Sequence, residues 1–373
     1  MENNKVCHLT TSHFATDNRI FNNECRALVR EGYEVTLIAP NTDTRILDQV
    51  NIIGAKINVN PLSRVLFGAY TVYKKALQIN ADIYHLHDID LFMYGLKLKA
   101  IGKKVIFDSH EDWLMYPYDI NWIPTYFRKL VSELLQKLYE RKLYIFDAVI
   151  TVSPHIVAKM QKYSKNVYLI TNYPNLETSG LAEFSKQDYL ERTATLFYSG
   201  TVSNQETILK AISEISSIGY SVAGNIPKNY LPTLSKNTLW ERVNYYGHLN
   251  QNQLSQAVNT ATIGITLMPY HANVSYKVGS LGNNKVFDYL RYGIPLICTD
   301  YSIWKERIID KYNCGICVNP HDVKEVRSAI LYLMNNKDEA YTMGQNGLRA
   351  IKEEFNWQTQ ESTLLGIYEK LNC

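Results

Sequence analysis

The stretch Val274–Asp300, with SYKVGSLGNNKVFDYLRYGIPLICTD (Ser275–Asp300) at its centre, decides how the 373-residue chain is read. Gly279 and Gly282 mark a loop, helical spacing begins near Asn284, Gly293 and Pro295 mark a turn, and Leu296–Thr299 is a short apolar run of strand type. In an open parallel sheet, ligands sit beyond the carboxyl ends of the strands, where a helix start offers free N–H groups and partial positive charge to a phosphate. Lys285 adds a full charge at that start, and Asp288, one turn on and on the same face, is placed for a sugar hydroxyl. The plain alternative is a surface helix on which Lys285 and Asp288 pair with each other.

The same alternation extends in both directions. Before this stretch, strand-like runs end at glycine three times: Leu196–Tyr198 at Gly200, Tyr220–Ala223 at Gly224, and Val243–Tyr246 at Gly247. Ile263–Leu267 follows, and after the stretch come Gly315–Val318 and helices from His321, Lys337 and about Gln358. In the first half, Val6–Leu9, a polar loop to Asn18, a helix from Arg19 to Gly32 and Val35–Ala39 form a βαβ opening. It repeats at Asp82–His87, Ile89–Ile101 and Lys104–Phe107, and a long helix from about Pro124 to Phe146 precedes Ala148–Val152 and Val167–Ile170. Asn172-Tyr-Pro-Asn175 and the polar residues after it interrupt the pattern. The expected organisation is α/β: a doubly wound domain over 1–171, a linker over 172–192, a second doubly wound domain over 193–356, and a C-terminal helix over 357–373 packing back toward the first. Two such halves would face each other across a cleft.

With 46% hydrophobic and 20% charged residues the chain has the composition of a folded globular protein. A net charge of +3 is too small to argue for nucleic acid. The start MENNKVCHLT has no charged-then-apolar leader and no apolar run reaches the ~20 residues of a membrane span, so a cytoplasmic location is expected. The six cysteines are read as free thiols; Cys314-Gly-Ile-Cys317 has the spacing of half a zinc site, without a second pair to complete it. Asp88-Ile-Asp90 has the spacing of a metal clamp on a diphosphate, but the two residues open a helix, where a capping role is the stronger reading. The helix Thr125–Phe146 interleaves Arg128, Lys129, Lys137, Arg141 and Lys142 with Tyr126, Phe127 and Tyr139. It reads either as a helix resting on an anionic membrane or as an ordinary solvated one.

Together, KVCHLTTSHFATDNRIFNNECRALVREGYEVTLIAP (5–40), ADIYHLHDIDLFMYGLKLK, KKVIFDSHEDW, LFYSGTV, NNKVFDYLRYGIPLICTD and NCGICV resemble, in order and spacing, the glycosyltransferases of family 4, which have the GT-B fold. The resemblance implies a nucleotide sugar in the second domain, an acceptor in the first, and transfer with retained anomeric configuration and neither metal nor other cofactor. Residue by residue, it implies that Lys285 meets the donor diphosphate, Asp288 the ribose, and His110, just past Val105–Phe107, the donor sugar. Gly200 and Thr201 fall in the phosphate loop, Asn284 opens the donor-binding helix, and His248 lies where the base is held. Asp17, Arg19 and Glu111 are candidates for acceptor or phosphate contact, the plain alternative for Arg19 being a salt bridge to Asp17 or Glu24. Two departures stand out. Ser280 occupies the place of a family glutamate, and Thr201–Glu206 lacks the usual Arg and Lys, which leaves backbone N–H groups at Gly200–Ser203 and the side chain of Lys277 as substitutes.

The expected activity is transfer of a hexose-type sugar from a nucleoside diphosphate such as UDP to a hydroxyl of a saccharide or lipid-linked saccharide, in surface polysaccharide or glycolipid synthesis. Work at the inner face of the membrane would suit such an acceptor, and no nucleic acid takes part. Two alternatives stand beside it: a nucleotide-sugar 2-epimerase of the same fold, and a catalytically weak sugar-nucleotide-binding subunit of a polymer-assembly complex.

Overall fold

Strands buried on both faces need near-continuous apolar runs, and helices must then cover both faces. The computed structural model, which describes residues 5–58 and 60–372, arranges such runs into two parallel sheets in two compact units. One unit takes the residues up to Asn172 together with those from Trp357 onward, and the other takes Tyr173–Asn356. Cys373 lies outside the described residues.

The first unit contains β1 (Lys5–Leu9), β2 (Glu34–Pro40), β3 (Arg45–Leu47), β4 (Val50–Ala55), β5 (Ile83–Leu86), β6 (Lys104–Ser109), β7 (Ala148–Thr151) and β8 (Val167–Leu169). Their order is β3-β4-β2-β1-β5-β6-β7-β8, parallel throughout except for β3 against β4. The chain winds outward from β1 in one direction and then from β5 in the other, so the topological switch point of this sheet lies between β1 and β5.

Side chains alternate across a sheet. Cys7, Leu9, Tyr84, Leu86 and Phe107 enter one core, whereas Val6, Ile83 and Ile106 enter the other with Ile20, Phe21, Trp357, Leu364 and Ile367. The second face is covered by the helical segment from Asn18 to Arg30 and by the C-terminal helix Trp357–Asn372. Counting on by two from Val6, Ile83 and Ile106 gives His8, His85 and Asp108, so this face turns polar toward the carboxyl ends while staying buried.

The second unit has β9 (Thr195–Ser199), β10 (Gly219–Ala223), β11 (Val243–Gly247), β12 (Ile263–Thr266), β13 (Leu296–Thr299) and β14 (Gly315–Val318), in the order β11-β10-β9-β12-β13-β14, all parallel. Its winding reverses between β9 and β12. The helix Asn284–Arg291 buries Val286, Phe287, Tyr289 and Leu290 against this sheet, which turns Lys285 and Asp288 to the other side.

The stretch read as a linker differs from that expectation. It carries helices Leu176–Ser179 and Lys186–Glu191, the latter closed by a reciprocal Ser185–Asp188 cap. Tyr189 is buried there and donates its hydroxyl to Thr262 O at 2.8 Å. The residues looked like a linker because helices this short show no apolar period. Cys317 meets Cys298 across β13 and β14, at 3.8 Å between sulfurs, instead of turning to Cys314.

Candidate active site

In the second unit, a cavity of about 330 Å³ opens at the ends of β9, β10 and β11, with Gly200, Thr201, Gly224, His248, Lys285 and Asp288 in its wall. Two glycines shape it. Gly200 and Gly224 have φ of +124° and +137°, and a β-carbon on Gly224 would stand 1.8 Å from Gly200 O. The side chain of Lys285 lies over Gly200, and its Nζ donates to the Tyr198 hydroxyl at 2.8 Å, 4.7 Å from the centre of that ring. Tyr198 in turn donates to Thr201 O at 2.6 Å. Burial lowers the Lys285 ammonium to about 8, so the cation sits ready to gain from an anion.

Asp288 does not pair with Lys285. It accepts from Arg291 Nε at 3.1 Å, and burial, partly offset by Arg291, raises its carboxyl above the usual range. The phosphate loop differs from the expected cradle, because Gly200 and Val202 spend their N–H groups on Ala223 O and Asn225 O, each at 2.9 Å. Lys277 stands over the ring of Tyr270 at 5.1 Å and is not in the cavity wall. Ser280 is used locally: its Oγ accepts from Gly282 N at 3.1 Å and its carbonyl from Trp304 Nε1 at 2.8 Å. Asn284 is exposed at the helix start, and the cap is Asn283, which accepts from Lys285 N. Tyr198 was missed in the sequence; its only signal was a polar-tipped aromatic two residues before a strand-ending glycine.

In the first unit, the loops after β1, β5 and β6 bring together His13, Asp17, Asp88 and His110. Asp88 was expected to cap a helix. Instead its carboxylate accepts from Thr10 Oγ1 at 2.7 Å, from Thr11 N at 2.8 Å and from Ser12 Oγ, so it fixes the first loop. Asp90 accepts from Arg64 Nε at 2.8 Å. His13 Nδ1 stands 3.8 Å from Asp17 and its Nε2 3.8 Å from Asp88; burial alone would lower its pKa, but these carboxylates raise it. Asp17 also caps the helical segment Asn18–Cys25, accepting from Arg19 N and Ile20 N.

Arg19 differs from the expected phosphate contact. It is 4% exposed, bonds Asp108 with Nε and Nη2 at 2.9–3.0 Å, and gives Nη1 to Ile170 O and Asn172 Oδ1, each at 2.8 Å. Burial alone would raise the Asp108 carboxyl, and Arg19, with His110 and His87 beside it, outweighs this to hold the group well below the carboxylate range. Asp108 Oδ2 also meets His110 Nε2 at 3.1 Å, so Arg19 reaches the candidate sugar contact only through Asp108. Glu111 is half-buried, and its carbonyl accepts from Ser109 Oγ at 2.9 Å and Trp113 N at 3.0 Å. Among the described residues no helix is long and apolar enough to cross a membrane.

The sequence profile of Glycosyltransferase Family 4 matches residues 18–177, and that of Glycosyl transferases group 1 matches residues 184–350. An uncharacterized glycosyltransferase of Methanocaldococcus jannaschii is 30% identical over 97 residues, a match that spans 26% of this chain and 24% of the relative. Among solved structures, sucrose-phosphate synthase of Thermosynechococcus elongatus superposes with a TM-score of 0.77 at 15% identity, covering 99% of each chain. Anabaena HepE in complex with UDP-glucose superposes with a TM-score of 0.70 at 12% identity, covering 98% of this chain and 99% of that one. The two profiles meet the two units in order, the superpositions give the fold, and the chain belongs to the family 4-like glycosyltransferases of GT-B fold.

Proposed function

We propose that the chain transfers a hexose-type sugar from a nucleoside-diphosphate donor to a hydroxyl acceptor with retention of anomeric configuration. The observation that carries this reading is the cavity at Gly200 and Gly224, with a half-buried lysine in its wall and a carboxylate one turn further along the same helix. Lys285 meets the diphosphate, Asp288 the ribose and His248 the base. A structural neighbour in complex with UDP-glucose makes a UDP-sugar the first donor to try. The acceptor oxygen attacks the anomeric carbon, the bond from that carbon to the diphosphate breaks, and its electron pair leaves with the phosphate. A phosphate oxygen on the same face takes the acceptor's proton. The charge that develops on the diphosphate is stabilised by Lys285, without metal or other cofactor.

The acceptor in this reading is a saccharide or lipid-linked saccharide at the inner face of the membrane, with Asp17 and Glu111 near it. An apolar stripe on the helix Thr125–Lys142 supports the lipid: Tyr126, Leu130 and Leu134, at i, i+4 and i+8, are 76%, 49% and 56% exposed. The test is incubation with UDP-sugars and a panel of lipid-linked and free saccharides, with the anomeric configuration of the product read by NMR. A new α-linkage from an α-linked donor supports the reading, and hydrolysis or an inverted product contradicts it. Conversion of the donor sugar without acceptor identifies the 2-epimerase instead. The lack of cations over Thr201–Glu206 favours one other reading, a binding subunit, which would bind nucleotide and transfer nothing.

A further inference from the structure

Behind the first loop, three histidines and a glutamate converge where an apolar core would be expected. His8 on β1, His85 on β5, His87 just past it and Glu24 from the helical segment Asn18–Cys25 are each 0–2% exposed. Glu24 Oε2 lies 3.9 Å from His8 Nδ1, 3.9 Å from His85 Nδ1 and 3.8 Å from His87 Nε2, and His8 Nδ1 lies 2.9 Å from His87 Nε2. Neither oxygen of Glu24 has a hydrogen bond among the described residues. Arg19 Nε stands 3.1 Å from Glu24 Oε1 but gives its N–H to Asp108. A buried carboxylate left in this way is costly, so the arrangement calls for a further partner.

The spacing selects that partner. Direct hydrogen bonds need separations of about 2.7–3.2 Å, so 3.8–3.9 Å is too long for the glutamate to be satisfied by the imidazoles themselves. A water about 2.8 Å from each of four groups at tetrahedral angles would hold them roughly 4.6 Å apart, wider than most of these separations. Nitrogen and oxygen ligands of zinc at about 2.0–2.2 Å stand about 3.3–3.5 Å apart, which the set brackets with 2.9 and 3.8–3.9 Å. The outer nitrogens have partners of the kind that orient ligating histidines: His87 Nδ1 is 3.4 Å from Asp108 Oδ2, and His8 Nε2 is 3.3 Å from the Tyr368 hydroxyl. That hydroxyl is also 2.8 Å from His85 Nδ1, and it would pass wholly to His8. The neighbouring group His87, Asp108 and His110 is a weaker candidate, since Arg19 already holds its carboxylate.

We propose that His8, Glu24, His85 and His87 form a structural site for one transition-series divalent cation, zinc by the chemistry of an N₃O set. The ion ties β1, β5 and the Asn18–Cys25 segment together beneath the loops that carry His13 and Asp88. It is separate from the donor pocket of the other unit, to which the metal-free expectation applied, and it does not depend on the proposed transfer reaction.

The test uses the full chain, expressed with zinc in the medium, desalted and analysed for metal by mass spectrometry. About one zinc per chain is expected, retained through dialysis against chelator and released to a colorimetric chelator on unfolding in guanidinium. Chain refolded with cobalt should show the visible bands of a four-coordinate nitrogen and oxygen site. The double variant His8→Ala, His87→Ala should lose the metal, and the surface variant His321→Ala should keep it. Less than about a tenth of an equivalent in the wild-type chain overturns the proposal, whatever the variants do. So does metal that stays at full stoichiometry in the double variant, which places it elsewhere.

Discussion

Lys285 Nζ donates to the Tyr198 hydroxyl at 2.8 Å while its methylenes cross the bare α-carbon of Gly200, where a β-carbon would come within 2.3 Å of Lys285 Cε. The lysine is therefore held by a ring on one side and by the absence of a side chain on the other. In Gly200→Ala the methyl group displaces the amine, and the φ of +124° adds backbone strain. Affinity for UDP should fall by about tenfold or more while the chain stays folded, as calorimetry and circular dichroism would record. Unchanged affinity in a folded variant would separate the amine's position from donor binding.

Binding should also depend on pH. Burial lowers Lys285 to about 8, and a bound diphosphate raises it again, so binding above that value requires proton uptake. The ammonium is nearly complete at pH 7, half present at about 8 and lost above it. The affinity for UDP should be flat from about pH 6.5 to 7.5 and weaken by up to tenfold per unit above 8. In Lys285→Met this slope should disappear. A wild-type affinity that holds level to pH 9.5 would contradict the assignment.

Arg19 shows how much of the site was legible in the sequence. Its position at the start of the first helix was read from the apolar spacing after it, and the helical segment Asn18–Cys25 agrees. Its partner, Asp108, lies 89 residues away, and nothing local distinguishes a guanidinium that faces solvent from one that meets a carboxylate on another strand. The same reason hid the histidine cluster: His8 and His85 are registered neighbours on β1 and β5, while the sequence shows one histidine in the first apolar run and His85-Leu-His87 in another, with nothing local to join them. By contrast, the helix Asn284–Arg291 and strand Leu296–Thr299 were readable because apolar period, glycine turn and apolar run agree within one stretch. The short β3 and β4 and the helix Ala69–Ile79 carried weaker local patterns and were not anticipated.

Removing the Arg19 side chain leaves Asp108 buried without its guanidinium, with only the neighbouring imidazoles of His110 and His87 beside it. Arg19→Ala should cost about 3–5 kcal/mol of stability in the first unit, seen as an earlier unfolding step in a denaturant titration. UDP binding in the second unit should change little. Loss of both together would mean that Arg19 acts on the donor pocket as well.

The apolar stripe on the helix Thr125–Lys142 gives a separate test. Replacing Tyr126, Leu130 and Leu134 by serine removes exposed apolar area without touching the core. Sedimentation with anionic vesicles should fall several-fold, and turnover with a short soluble acceptor should stay within about twofold. Equal vesicle binding by the variant would rule out this face as the membrane contact.

The central claim is that Lys285 is the charge that holds the donor diphosphate. Its most direct test is calorimetric titration of UDP into the wild-type chain and into Lys285→Ala at pH 7, with melting temperatures recorded in parallel. The account predicts that the variant melts as the wild type does or slightly higher, since a desolvated cation has been removed, and binds UDP at least about a hundredfold more weakly. A variant that binds UDP with wild-type affinity would contradict it.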